Sequence, residues 1–420
     1  MKMKKTISIY SGLRLLPVVA VLLLTAGMLF SAVAAKSRRG KVDWDSAARQ
    51  RKAEYVFISA YQAIAGDSIG GGMNMLEYAE ELAPDDPAIT GNSALVKAAV
   101  YDMDSAGALA NYEVIRQSWL HDTGDYFLGS SLAVTADRLG KYSDAVEVWR
   151  TLDSIYPTRT EPAQNLAQAY TRRYIYNHDI ADYDSAIAIY GRIESESGKD
   201  VMLSSQKIRT LMLRNDTAAA DAEVKAMLEA MPREVTALLF ASMLNDQFGR
   251  DSLTLEYLHR AAALDSTDGR TYQQLSEYYR ARGDSAAYSR EVFRALESGN
   301  LEFDVKEQIM RGYLTELYDD STQWPRINRL FEILGNLHSD EPQMHRMYGL
   351  FELGRGRYDS AREQFGYAVA LDPGDDVTRQ MLVSADYQAD SLDAVLRDAR
   401  PGLDLFPQSF YYPIAMSGVL

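Results

Sequence analysis

Residues Gly66-Asp67-Ser68-Ile69-Gly70 satisfy the spacing G-x-S-x-G. In that pattern a serine held on a tight turn presents its hydroxyl as a nucleophile, with a strand ahead of it and a helix behind. What precedes Gly66 is a helical stretch, Tyr55 to Ala65. The five histidines that could serve as base or metal ligand are His121, His178, His259, His338 and His345, and no two stand at a metal-ligand spacing. The chain has no Gly-x-x-x-x-Gly-Lys-Ser/Thr phosphate loop and no Gly-x-Gly-x-x-Gly. Paired carboxylates such as Glu80-Glu81 and Asp319-Asp320 read as charged helix faces rather than acid–base dyads. Cysteine is absent, which excludes disulfides, thiolate metal sites and a cysteine nucleophile. No metal and no cofactor is expected.

The Gly-Asp-Ser start of the serine motif resembles the nucleophile motif of GDSL esterases. That resemblance implies an Asp-x-x-His near the chain end, and no histidine here has an aspartate three residues earlier. The same tripeptide recurs at Gly283-Asp284-Ser285. Ser68 therefore reads first as part of a helix N-cap and second as the nucleophile of a GDSL-like hydrolase.

The recurrence extends through the chain. Asp-Ser pairs fall at Asp67, Asp104, Asp184, Asp251, Asp284, Asp320, Asp359 and Asp390, at gaps of 37, 80, 67, 33, 36, 39 and 31 residues. The wide gaps are about double the others and contain relatives, Ser143-Asp144 and Asp216-Thr217. The period is thus near 35. Each unit reads as an apolar-periodic stretch, a Gly or Asp turn, and a second apolar-periodic stretch. Asp and Ser at a helix start accept hydrogen bonds from unpaired N–H groups. Gly140, Gly249, Gly283 and Gly356 suit the positive φ that ends the helix before. The unit is helix, turn, helix, and no stretch keeps a strand's period of two.

The clearest unit, from Pro342, carries Tyr348-Gly349, Gly356, Tyr358-Asp359, Ala361, Phe365, Ala368 and Pro373. Another carries Ala133, Gly140, Tyr142, Ala145, Trp149 and Pro157, and a third Tyr272, Leu275, Ser276, Tyr279, Gly283, Ala295 and Leu296. This pattern resembles the tetratricopeptide repeat (TPR). The resemblance implies an all-α fold, a right-handed α-solenoid of about ten TPR-like helix-turn-helix repeats spanning residues 51–409. Residues 410–420 read as the start of a further, incomplete repeat, as in a chain that continues. Two departures stand out. Tyr174 to Tyr183 add residues between the helices of the fourth unit, and Gly70-Gly71-Gly72 sit where a helix should begin and predict a frayed or bent turn.

A solenoid of this kind lines its concave side with the first helix of each pair and binds an extended peptide or a partner helix there. By register the groove positions are Phe127, Ser130, Val134, Asp137 and Arg138 in the third unit. In the seventh they are Arg270, Gln273, Glu277 and Arg280, and in the ninth Gln343, Arg346 and Leu350. The Lys/Asn/Arg clamp that some family members use for a C-terminal carboxylate is not found. The 27 tyrosines read mostly as repeat core.

Charge and the amino terminus bound the setting. The chain has 420 residues, 47% of them hydrophobic, and a net charge of −15. The first 41 residues hold eight basic residues and no acidic one, so the body is more acidic still and nucleic acid is an unsuitable partner. Residues 1–35 combine a basic start, an uncharged stretch from Leu15 to Ala35 and the small-residue exit Ala32-Val33-Ala34-Ala35. These features describe a secretory signal, and the stretch is also long enough for an uncleaved anchor through residues 15–35. A buried core helix is the bland alternative. Four basic residues on each side leave the orientation open. Residues 36–50 read as a linker. The expectation is an exported, periplasmic or inner-membrane-anchored bacterial protein. It would be a non-catalytic scaffold binding a protein or peptide, or an interaction module of a longer chain.

Overall fold

A computed structural model describes residues 44–101 and 104–419; residues 1–43, which hold the proposed signal or anchor, lie outside it. The described residues form 21 α-helices, one 3-10 turn and no strand. No helix among them is long and apolar enough to cross a membrane.

The helices pair in chain order. In the first helix of each pair (helix A) and the second (helix B) the members are α1 (Trp44–Ala65) with α2 (Ile69–Leu82), α3 (Pro87–Val100) with α4 (Ser105–His121), and α5 (Tyr126–Arg138) with α6 (Tyr142–Ile155). Then come α7 (Thr160–Asn177) with α8 (Ile180–Ser197), α9 (Val201–Met212) with α10 (Thr217–Ala230), and α11 (Val235–Gln247) with α12 (Asp251–Leu264). The remainder are α13 (Gly269–Ala281) with α14 (Ser285–Glu297), α15 (Phe303–Leu317) with α16 (Trp324–Leu337), α17 (Pro342–Gly354) with α18 (Tyr358–Leu371), and α19 (Asp376–Gln388) with α20 (Leu392–Leu405). A last short helix, α21 (Tyr411–Ser417), follows. The ten pairs are the ten expected units. The first helix begins at Trp44, inside the stretch read as linker. The chain divides between Ala230 and Met231 into two compact units.

Two kinds of turn alternate, and each has a chemical signature. Within a pair, helix A ends in a residue at positive φ: Asp67, Gly140, Asn215, Gly249, Gly283, Gly356 and Asp390. In each of these turns the next N–H returns to a carbonyl five residues back, as in Asp284 N to Tyr279 O at 3.0 Å and Lys141 N to Ala136 O at 2.8 Å. That is the Schellman closure of a helix, and it satisfies carbonyls the helix leaves free. Between pairs, a four-residue turn donates from its last N–H to its first carbonyl, as in Asp125 to Asp122 at 3.1 Å and Arg159 to Tyr156 at 3.0 Å. Pro84, Pro157, Pro232, Pro373 and Pro407 occupy the second place of such turns, where φ near −65° suits them.

The capping expected of the Asp-Ser series is only partly present. Asp104 and Asp284 accept from Gly107 N and Ala287 N, and Asp216 accepts from Ala219 N. Ser68 stands at the N-cap of α2 but makes no side-chain capping bond, and Asp67 before it takes the left-handed seat. Asp251 and Asp359 lie inside the first turn of their helices, and Asp184-Ser185 lies a full turn inside α8. Side-chain caps recur instead at helix A starts, at Asp86, Asp125, Asp268 and Asp375.

Two further expectations are corrected. The extra residues of the fourth unit do not form a long loop; they lengthen both helices to 18 residues. The long arms are clasped by Arg173, whose Nε and Nη2 donate to buried Asp182 at 2.8 and 2.5 Å. Burial pushes the Asp182 carboxyl up, and Arg173 and Asn177 more than reverse it, holding it below the usual range. The glycine run does not fray, because α2 is continuous from Ile69. At Gly72 a Cβ would lie 2.8 Å from the Ala60 carbonyl oxygen and 2.3 Å from Ile64 Cγ1. Glycine is what lets α1 and α2 touch at that point.

In the first unit the main core joins Tyr112, Ile115, Trp119, Leu132, Trp149, Leu152 and Tyr190. In the second unit it joins Val292, Met310, Tyr313, Leu330, Phe331 and Phe351, with smaller clusters around Phe365 and Tyr412. The small residues named from the repeat pattern, Ala133, Ala145, Ala361 and Ala368, are buried at helix crossings. Tyr348 is half-buried and stacks on Phe331 with ring centroids 4.4 Å apart. Tyr55 and Tyr176, by contrast, are exposed.

Candidate functional site

The N-caps set the register of the helix A face. Counting from Asp125, Asp268 and Glu341, the second, fifth and ninth residues are Phe127, Ser130 and Val134; Arg270, Gln273 and Glu277; and Gln343, Arg346 and Leu350. These spacings of 3 and 4 fall on one face of a helix. Val134, Arg138, Arg270, Glu277, Arg280 and Leu350 are exposed, and Phe127, Ser130, Asp137, Gln273, Gln343 and Arg346 are half-buried. The first five positions of the prediction belong to the first unit, and the other seven to the second.

Four of the six charged members of this face are tied to neighbours. In the first unit Asp137 on α5 meets Arg172 on α7 at 2.8 Å. In the second unit Arg270 Nε donates to Asp268 at 2.9 Å, Arg280 on α13 meets Glu316 on α15 at 3.2 Å, and Arg346 on α17 meets Asp375, the cap of α19, at 3.0 Å. Ser242 on α11 donates to Gln274 on α13 at 2.9 Å. Arg270, Arg280 and Arg346 thus each have a carboxylate partner. The polar contacts link successive A helices like rungs.

Between α15 and α17 the face opens into a hollow of about 420 Å³. Leu314, Tyr318, Met347, Leu350 and Phe351 form its apolar walls, with Arg311 and Asp319 among its polar lining. Leu350 is the one residue of the predicted set that lines it. The eighth unit's contribution escaped sequence reasoning because its turn is built differently. Tyr318 N returns to Leu314 O at 2.8 Å, a 3-10 turn at Ser321–Gln323 follows, and Trp324 Nε1 donates to Tyr318 O at 2.9 Å. The sequence signal that could have located it is the pair Tyr318 and Trp324 where other units have Gly or Asp.

Ser68 lies between two helices, α1 and α2, so the strand–turn–helix setting of a nucleophile elbow is not its setting. Of the histidines, His345 is held by Gln364 and the Ser339 carbonyl, and His338 lies 3.1 Å from Lys306 Nζ. Burial lowers the pKa of both Lys306 and His338, and their mutual repulsion lowers that of His338 further. Among the described residues no group of three or more His, Asp or Glu is placed to hold a metal ion.

No protein-family model and no curated protein matches the sequence. Solved structures do resemble the fold. A tetratricopeptide repeat protein from Parabacteroides merdae aligns over 62% of this chain and 97% of its own, at 12% identity and a TM-score of 0.40. The Naa15/Naa10 complex bound to HypK-THB aligns over 96% of this chain and 65% of its own, at 12% identity and a TM-score of 0.42. Yeast Tom70 aligns over 88% and 95%, at 13% identity and a TM-score of 0.29. By its own geometry of paired helices, alternating turns and small-residue crossings, the described chain is an all-α, TPR-like helical-repeat protein.

Proposed function

We propose that this chain is a non-catalytic interaction scaffold of the bacterial cell envelope that receives a protein or peptide segment along its helix A face. The observation that carries this reading is the hollow between α15 and α17. Its walls are apolar, its rim is polar, and it lies where successive A helices present the same positions. A surface with apolar pockets and paired arginines suits an extended segment that inserts one or two apolar side chains. The envelope setting rests on the basic start, the apolar stretch and the small-residue exit of residues 1–35.

A photo-reactive amino acid at Leu350 tests the binding face. It should yield partner adducts in intact cells, and the same probe at exposed Glu332 on helix B α16 should not. Equal labelling at both positions, or labelling at Glu332 alone, would move the site off the A face. N-terminal sequencing of cell fractions tests export, with a mature start expected near Lys36 outside the cytoplasm. An intact Met1 in the membrane fraction would favour the anchor, and an intact Met1 in the cytoplasm would end the envelope reading.

A further inference from the structure

The hollow between α15 and α17 has an apolar floor and one charge left over. Met347 and Phe351 are buried and form the floor, and Leu350 stands exposed at the mouth. Tyr318 meets Phe351 edge-on, with ring centroids 6.1 Å apart, and its hydroxyl lies so close to Gly354 that a Cβ there would collide with it. The phenol therefore bridges the C-terminal ends of α15 and α17. The charged side chains of the lining are Arg311 and Asp319. Arg311 donates from Nε and Nη2 to Glu307 at 2.9 and 2.5 Å, so its charge is matched. Arg355, against the Phe351 ring, is held by Glu352 at 2.9 Å and Asn328 at 2.7 Å. Asp319 is exposed and has no ion-pair partner among the described residues. Its neighbour Asp320 is a second carboxylate, and the C-terminal end of α15 beside them is the negative pole of that helix.

An apolar hollow lined by an unmatched carboxylate selects its occupant by charge as well as by shape. A carboxylate of the partner would meet Asp319, Asp320 and the helix end as like charges, whereas a cation would find all three favourable. The net charge of −15 steers the same kind of segment toward the chain. We propose that the hollow takes a bulky apolar side chain from a partner segment that also carries a lysine or arginine, the cation seated at Asp319. The α15 lining from Arg311 to Tyr318 runs along about 10 Å of helix axis. Three extended residues cover that length, so the apolar side chain and the cation lie within three positions of one another. This inference rests on the helix A reading above and adds to it the charge of the partner.

Selection from a library of random displayed heptapeptides on the full chain tests this. The enriched peptides should hold a bulky apolar residue with Lys or Arg within three positions. The most enriched peptide, made synthetically, should bind Asp319→Lys at least fivefold more weakly than the unaltered chain, and Leu350→Arg, which fills the mouth, should lose it. Both substitutions are at exposed positions, and unchanged helical circular dichroism confirms that the variants fold. Enriched peptides without a basic residue, enrichment of Asp or Glu, or equal binding to Asp319→Lys would overturn the inference, while loss at Leu350→Arg would still leave the hollow as the binding site. No enrichment, or peptides indifferent to Leu350→Arg, would overturn the helix A reading itself and this inference with it.

Discussion

Gly349 has no side chain because Phe365 occupies the space where one would be. A Cβ there would lie 2.6 Å from the Phe365 ring, closer than side-chain carbons approach one another. Gly349→Ala should therefore destabilise by about 1–3 kcal/mol, the usual cost of overpacking a core. Gly191 sits in helix α8 with open space around its Cβ position, so Gly191→Ala should gain up to about 1 kcal/mol. Urea denaturation of the two variants checks both signs, and a loss at both sites would show that close approach is not what selects Gly349. The same scale explains what the sequence did and did not disclose. Gly140, Gly249, Gly283 and Gly356 announce their left-handed turns by being glycine. Asp67, Asn215 and Asp390 take the same conformation with a side chain; Asp and Asn tolerate it better than other side chains, but both are also common on helix faces and at caps, so they mark it less sharply than glycine does. Left-handed backbone costs such a residue roughly 1–2 kcal/mol. Asp390→Gly should accordingly raise stability in urea denaturation; unchanged or lower stability would count against strain at this turn.

Helices α18 to α20 are held partly by charges that titrate. Burial pushes the Asp386 carboxyl up to about 6, Arg362 opposes this, and the neighbouring Asp398 adds to the rise. Arg397, Arg379, Asp359 and Glu363 line one hollow with Asp386 among these helices, and Asp359 shares Arg362 with Asp386. A carboxyl whose pKa is higher folded than unfolded binds a proton more readily in the folded state. Its stabilising effect is present below the unfolded value near 4 and is lost as pH rises through about 6. Asp386→Asn, which mimics the protonated form, should gain on the unaltered chain by about 1–3 kcal/mol between pH 4 and pH 7. A pH-independent difference in urea midpoints would sink this. At the same scale, the pairing of helices and the ten-unit count were legible because periodicity and turn residues repeat. The hollow between α15 and α17 was not. It depends on Tyr318 and Trp324 flanking a turn that the Asp320-Ser321 pair makes look like the others. The fourth unit's long arms were misread as a loop because their extra residues lack breakers. The structure takes them up as longer helical arms on either side of the His178–Asp179 turn, clasped by the Arg173–Asp182 contact.

In each unit the core is assembled from neighbours in sequence rather than from distant segments. Repeat architectures of this kind have stabilities close to a sum of local terms, so their parts need not open together. The local terms differ along the chain. Helices α4 to α8 share a core that includes buried Tyr112, Trp119, Trp149 and Tyr190. Helices α19 to α21 share one built on Val383, Val395, Ala399 and Tyr412, beside exposed Phe410 and Ile414. Large aromatic residues contribute the most apolar burial per side chain, and opening free energies follow that burial. Hydrogen exchange followed by mass spectrometry should show the slowest amides in α4 to α8 and markedly faster exchange in α19 to α21. Denaturant melts followed by circular dichroism should be broad or stepped for the same reason. The measurement is local enough to separate two explanations of a broad melt, since poor folding everywhere would give fast exchange throughout. Uniform protection from α1 to α21, together with one sharp transition, would mean that the repeats act as a single cooperative body.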